Sequence, residues 1–136
     1  SEIKYYEELA GYTNVKGTGI IVKLIKNSSE DSIIYNYDLI LSIVNKLNSA
    51  QASAISINGE RLLTLSKIKC SGSTIKVNDT TYGQPFIIKA IGDLNTLKAS
   101  VISPQSYTNI LQEVYGIYIK VEEENDIIIN SFKKYE

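Results

Sequence analysis

Ala54-Ile55-Ser56-Ile57-Asn58-Gly59-Glu60-Arg61 carries a short apolar run into an Asn-Gly pair and on to the only arginine of the chain, among fourteen basic residues. The run predicts a strand, and Asn-Gly predicts a turn with positive φ, because these two residues tolerate the left-handed region best. A chain that takes its other positive charges from lysine has kept one guanidinium. A guanidinium offers a planar fork of fixed donors that an ammonium lacks. The stretch therefore marks both a corner of the fold and a candidate site.

Upstream, Leu39, Ile40, Ile43, Val44 and Leu47 recur at helical spacing, which predicts an amphipathic helix. Asn36 is its expected cap, with Asp38 in the first turn, and the helix should fade over residues 48–50. Before it, Ile20-Ile21-Val22-Lys23-Leu24-Ile25 reads as a central strand covered on both faces. Residues 52–57 form the next strand. Strand, helix and strand at this spacing predict a right-handed crossover with the two strands parallel.

Downstream, extended character resumes over residues 62–70. Thr74 to Val77 followed by Asn78-Asp79 predicts a hairpin whose return strand is residues 86–91, starting no earlier than Phe86 because of Pro85. Gly92-Asp93 reads as a break and a cap, with Leu94, Leu97 and Val101 as helix contacts. Ser103-Pro104 opens a further helix that Gly116 ends. Ile117, Ile119 and Val121 alternate as a strand, Glu122 to Asp126 reads as a charged turn, and residues 127–130 as a last short strand. At the start, Ile3, Tyr6 and Leu9 predict a short N-terminal helix stopped by Gly11. The whole is α+β: a ferredoxin-like or related split βαβ sheet with an inserted β-hairpin and helices packed on one face.

The totals fit one domain. The 136 residues are 43% hydrophobic and 21% charged, with a net charge of −1 and a pI near 5.5. Without a basic field over the whole surface, binding driven mainly by nucleic-acid phosphates is excluded as an expectation. Histidine is absent, which removes the commonest general base and zinc ligand. Cys70 has no partner for an intrachain disulfide, and its alternating context predicts a small buried hydrophobe. Methionine is also absent, so residues upstream of Ser1 are expected. No run of eighteen apolar residues predicts a membrane span.

Few residues suggest chemistry. Gly17-x-Gly19 precedes a strand rather than opening a helix, so it reads as close chain packing and not as a phosphate loop. The acidic run Glu122 to Asp126 lacks the ligand alternation of a calcium loop. No nucleophile stands with a base, and neither a metal nor a cofactor is implied. Asn45, Asn58, Gly59 and Arg61 remain as binding candidates. Their structural reading is a positive-φ turn with Arg61 tying carbonyls at the end of the helix or strand. The alternative is that the same donors hold an acidic ligand group.

The segments Leu9-Ala10-Gly11-Tyr12-Thr13-Asn14-Val15-Lys16-Gly17-Thr18-Gly19-Ile20, Asp38-Leu39, Asn45-Lys46-Leu47, residues 54–62 and Ile91-Gly92-Asp93 together resemble the bacterial domain of unknown function 881 family, the YlxW-like and YlxX-like proteins. Thr18 stands where that family usually has proline, and Gln51-Ala52 replaces a typical Gly-Ala. The resemblance implies a transmembrane helix upstream, then a coiled coil ending at residues 1–12, then a single α+β domain over residues 13–136 outside the cytoplasmic membrane. It implies self-association through the stem, protein partners, and a setting near cell-division genes. It brings no reaction. The expected function is therefore a non-enzymatic interaction domain. The alternative is a small-ligand sensor with its site near Asn58 and Arg61, and an unrecognised hydrolase ranks third.

Overall fold

The computed structural model describes residues 13–25, 32–71, 74–102 and 118–132. The expected N-terminal helix, the stem of residues 1–12 and the helix of residues 104–116 lie outside these. Among the described residues the order is β1 (Val15–Ile25), α1 (Ser32–Ser49), β2 (Ala54–Ile57), β3 (Glu60–Arg61), β4 (Ile68–Ser71), β5 (Thr74–Val77), β6 (Thr80–Tyr82), β7 (Phe86–Ile91), α2 (Leu94–Ile102) and β8 (Tyr118–Ile129). The result is a mixed α+β fold with two sheets, one ordered β3-β2-β7-β1-β8 and one ordered β4-β5-β6. Every strand pairing is antiparallel. Since β1 and β2 both run against β7, they share a direction, and β7 lies between them.

The apolar stripe of α1 is buried as its spacing requires, with Leu39, Ile40, Ile43 and Leu47 all fully inaccessible. They meet Ile20, Val22, Ile55, Ile57 and Ile88 of the large sheet, Leu97 and Val101 of α2, and Ile75 and Val77 of the small sheet. The helix starts at Ser32 rather than after Asn36, so Asp38 lies beyond its first turn. Ile33 and Ile34, a β-branched pair that reads locally as extended, fall inside the helix. The helix ends in a Schellman motif: Ala52 N–H bonds Leu47 O at 3.1 Å and Gln51 N–H bonds Asn48 O at 3.0 Å. Gln51 takes φ 62° to close it, a position that favours glycine.

At α2, Asp93 caps as expected. Its Oδ2 accepts from Thr96 N–H at 3.0 Å and from Thr96 Oγ1 at 2.6 Å. These bonds hold the Asp93 carboxyl below the usual carboxylate range.

Three expectations need correction. The strand after Asn78-Asp79 is Thr80–Tyr82, with Val77 opposite Thr80, and Phe86–Ile91 belongs to the large sheet. The two-residue turn returns the chain immediately, and Gly83 to Pro85 then carries it out of the small sheet. The charged run Glu122 to Asp126 is not a turn, because it lies inside β8, an edge strand paired along β1. Two of its carboxylates are paired: Lys98 of α2 meets Glu123 at 2.8 Å, and Lys23 of β1 and Lys120 of β8 itself meet Glu122 at 3.3 and 3.2 Å. Charge on an edge strand also discourages pairing with another chain. Finally, Cys70 is exposed: it opposes Ile75 on the inward row, but β4 is an edge strand.

A bulge reorganises β8. Gly17 pairs with Ile127 while Gly19 pairs with Glu124, so β8 advances three residues against two, and its alternation flips. Ile119 and Val121 therefore pack against the helix-side core. Ile127 and Ile129 join Val15, Ala54 and Ile91 in a second cluster on the opposite face. Gly19 also lets β1 approach β7 closely, for a Cβ there would overlap Ala90 O. The Gly-x-Gly pair is thus a packing device.

Candidate functional site

The hairpin joining β2 to β3 places Ile57 opposite Glu60 and Ser56 opposite Arg61. Its two turn residues, Asn58 and Gly59, have φ of 48° and 86°, the type I′ pattern that matches strand twist. A Cβ on Gly59 would meet nothing within 4 Å. Its backbone conformation alone therefore calls for glycine.

Asn58 spends its side chain on the fold. Oδ1 accepts from Ile87 N–H at 2.6 Å, and Nδ2 donates to Pro85 O at 3.2 Å and Gly83 O at 3.4 Å. Its own N–H bonds Ile87 O at 2.8 Å. One residue thereby fixes the chain leaving the small sheet to the end of β2.

Arg61 is 3% exposed. As the neighbour of Ser56, it shares a face with Ala54 rather than with Ile55 and Ile57, and that face looks away from α1. There Nη1 donates to Thr13 O at 3.0 Å and Asn130 O at 3.2 Å. The sequence pointed to carbonyls at the end of the helix or strand, and these two belong to the residues leading into β1 and out of β8. Ser131 N–H adds a bond to Asn14 Oδ1 at 2.6 Å. The incoming and outgoing segments are fastened side by side.

Glu60 was not singled out by sequence, yet it joins the two sheets. Its carboxylate accepts from Asn78 Nδ2 at 3.2 Å and Tyr82 Oη at 2.9 Å. Asn78 Nδ2 also donates to Arg61 O at 3.1 Å. The signal available was Asn78 itself, a second turn residue with positive φ, 56°, whose amide reaches across.

The four candidates do not converge. Asn45 is exposed on α1 and borders a cleft of about 310 Å³ with Val44, Asn48, Leu62 and Ser66. Arg61 borders this cleft and a second hollow of about 310 Å³ shared with Gly59, Asn130 and Ser131. Its guanidinium is committed on the latter side, where Asn130 O accepts from it. Asn58 lines neither. The first cleft offers uncharged amides and hydroxyls beside aliphatic walls, an arrangement suited to orienting a small polar molecule rather than to moving protons.

A wider groove runs between α1 and α2. Lys46 Nζ is buried there with no hydrogen-bond partner among the described residues, and burial pushes its pKa below the usual lysine value. Among the described residues no group of three His, Cys, Asp or Glu side chains converges to hold a metal. No described helix is long and apolar enough to cross a membrane.

Residues 2–136 match the family model described as bacterial protein of unknown function, DUF881. The chain is 33% identical over 102 residues to the UPF0749 protein YlxW of Bacillus subtilis (strain 168), covering 71% of this chain but 44% of that protein. It thus spans under half the length of that relative. The fold resembles the crystal structure of an uncharacterized conserved protein from Mycobacterium tuberculosis, with a TM-score of 0.82 and 19% identity over 100% of this chain and 94% of the other. On the extent of the family match, the chain belongs to the DUF881 family of bacterial proteins.

Proposed function

We propose that this chain is the non-enzymatic interaction domain of a membrane-anchored protein, displayed outside the cytoplasmic membrane and acting in cell division or envelope assembly. The observation that carries the reading is the Arg61 clamp, which draws Thr13 and Asn130 together at one end. A head whose two chain ends leave side by side suits presentation on a stem. In this reading residues 1–12 belong to a coiled coil through which the protein dimerises. The order β2-β7-β1-β8, with α1 joining β1 to β2, supports classing the large sheet as ferredoxin-like. The commitment of Asn58, Glu60 and Arg61 to structural bonds favours binding by surface over chemistry by side chain. Sedimentation of the full-length protein in mild detergent tests the reading: a dimer is expected, and a strict monomer would oppose it.

A second reading has its own observation, the exposed Asn45 amide at the mouth of the 310 Å³ cleft. Here the domain senses a small uncharged polar ligand. A compound that raises the melting temperature of the natural chain but not of Asn45→Ala would favour it.

A further inference from the structure

The outer face of the small sheet concentrates positive charge. Lys69 and Lys76 stand directly opposite one another in the β4–β5 register, where like charges repel. Lys67, two residues ahead of Lys69, shares their face by strand alternation, and its carbonyl accepts from Asn78 N–H at 2.9 Å. All three lysines are exposed, and among the described residues the ion pairs involve other lysines. Asp79 in the β5–β6 turn is the one carboxylate on these three strands and that turn. Directly before this face, in the loop leading to β4, Leu65 is 89% exposed.

We propose that this face docks on a bilayer surface bearing anionic lipid headgroups. Lys67, Lys69 and Lys76 lie over the headgroup phosphates, and Leu65 enters the upper acyl region. A three-stranded face with cross-strand lysines about 5 Å apart at Cβ suits a surface of many anions better than one bound phosphate. Long lysine stems let the ammonium groups reach that plane while the strands stay above it. The leucine selects lipid over a dissolved polyanion, which offers no apolar phase. The inference is independent of how the chain is tethered, since the surface needs no anchor to be assayed.

The test is co-sedimentation of the chain with vesicles of phosphatidylcholine alone or mixed with phosphatidylglycerol at low salt. Binding to the mixed vesicles only is expected. Lys67→Gln, Lys69→Gln and Lys76→Gln together should weaken it about a hundredfold, at about fivefold per lysine. Leu65→Ser should weaken it about tenfold. A salt titration of the unaltered chain reads the same charge dependence without any substitution, and raised salt should release it. Equal binding to neutral vesicles, or undiminished binding by the triple variant, would overturn the proposal. Undiminished binding by Leu65→Ser, with soluble polyphosphate competing fully, would overturn the choice of lipid.

Discussion

Asn58→Asp isolates one bond set at the turn, because the two side chains are nearly the same size. The Ile87 N–H at 2.6 Å keeps its acceptor, while the Nδ2 bonds to Pro85 O at 3.2 Å and Gly83 O at 3.4 Å are lost. Neutral hydrogen bonds contribute about 0.5–1.5 kcal/mol each, and the longer bond belongs at the low end. A carboxylate oxygen facing two carbonyls adds repulsion, so the loss at neutral pH should be about 2–3 kcal/mol. For a domain of this size that lowers the melting temperature by roughly 6–12 °C. The pH dependence has a definite sign. Two carbonyls facing one oxygen disfavour its charge, so the introduced carboxyl has a folded pKa above its unfolded one. Its protonated form donates to Pro85 O, a contribution fully present below the unfolded pKa and lost as pH rises through the folded one. Thermal melts followed by circular dichroism from pH 4 to pH 7 should show the gap to the natural chain widening with pH. A gap below about 2 °C at pH 7, or one that ignores pH, would refute the assigned bonds.

Other substitutions probe separate parts of the fold. Gly19→Ala should destabilise by at least about 3 kcal/mol or prevent folding, since the added carbon overlaps Ala90 O; a soluble variant melting like the natural chain would contradict the close approach of β1 to β7. Gln51→Gly should stabilise by about 1 kcal/mol in denaturant titrations, by relieving a left-handed non-glycine residue at the end of α1. Asp93→Ala should melt lower at neutral pH. Because the Thr96 bonds depress the Asp93 pKa, its contribution is present above the unfolded pKa and disappears as pH falls through the folded one. Melts at pH 7 and pH 3 should show the difference closing in acid, and a constant difference would exclude the cap.

The sequence was most legible where local chemistry decides the outcome. Asn58-Gly59 allows few turns other than the one observed, Asp93 precedes α2 with Thr96 in reach, and Pro85 marks the start of β7. The stripe of α1 was readable from spacing, but its first turn was hidden by Ile33 and Ile34, whose β-branching suggests extension. The misread features depend on distant partners. Glu122 to Asp126 resembles a turn until Lys23 and Lys98, remote in sequence, supply its counter-charges. The alternation around Cys70 suggests burial, yet its place on an edge strand leaves it exposed. The lone arginine announced an important guanidinium, but its acceptors, Thr13 O and Asn130 O, lie 48 and 69 residues away. Thr18 falls at the register shift between Gly17 and Gly19, a bulge that shows only once β1 and β8 are paired.

The Arg61 guanidinium serves the fold by bonding Thr13 O and Asn130 O. The direct measurement is the thermal unfolding of Arg61→Lys against the natural chain. Charge-assisted bonds contribute about 1.5–3 kcal/mol each, and an ammonium replaces the planar fork with a more strongly hydrated point charge. A loss of about 2 kcal/mol is expected, a fall of roughly 6–8 °C. An unchanged melting temperature would contradict the clamp and return Arg61 to the residues available for a ligand.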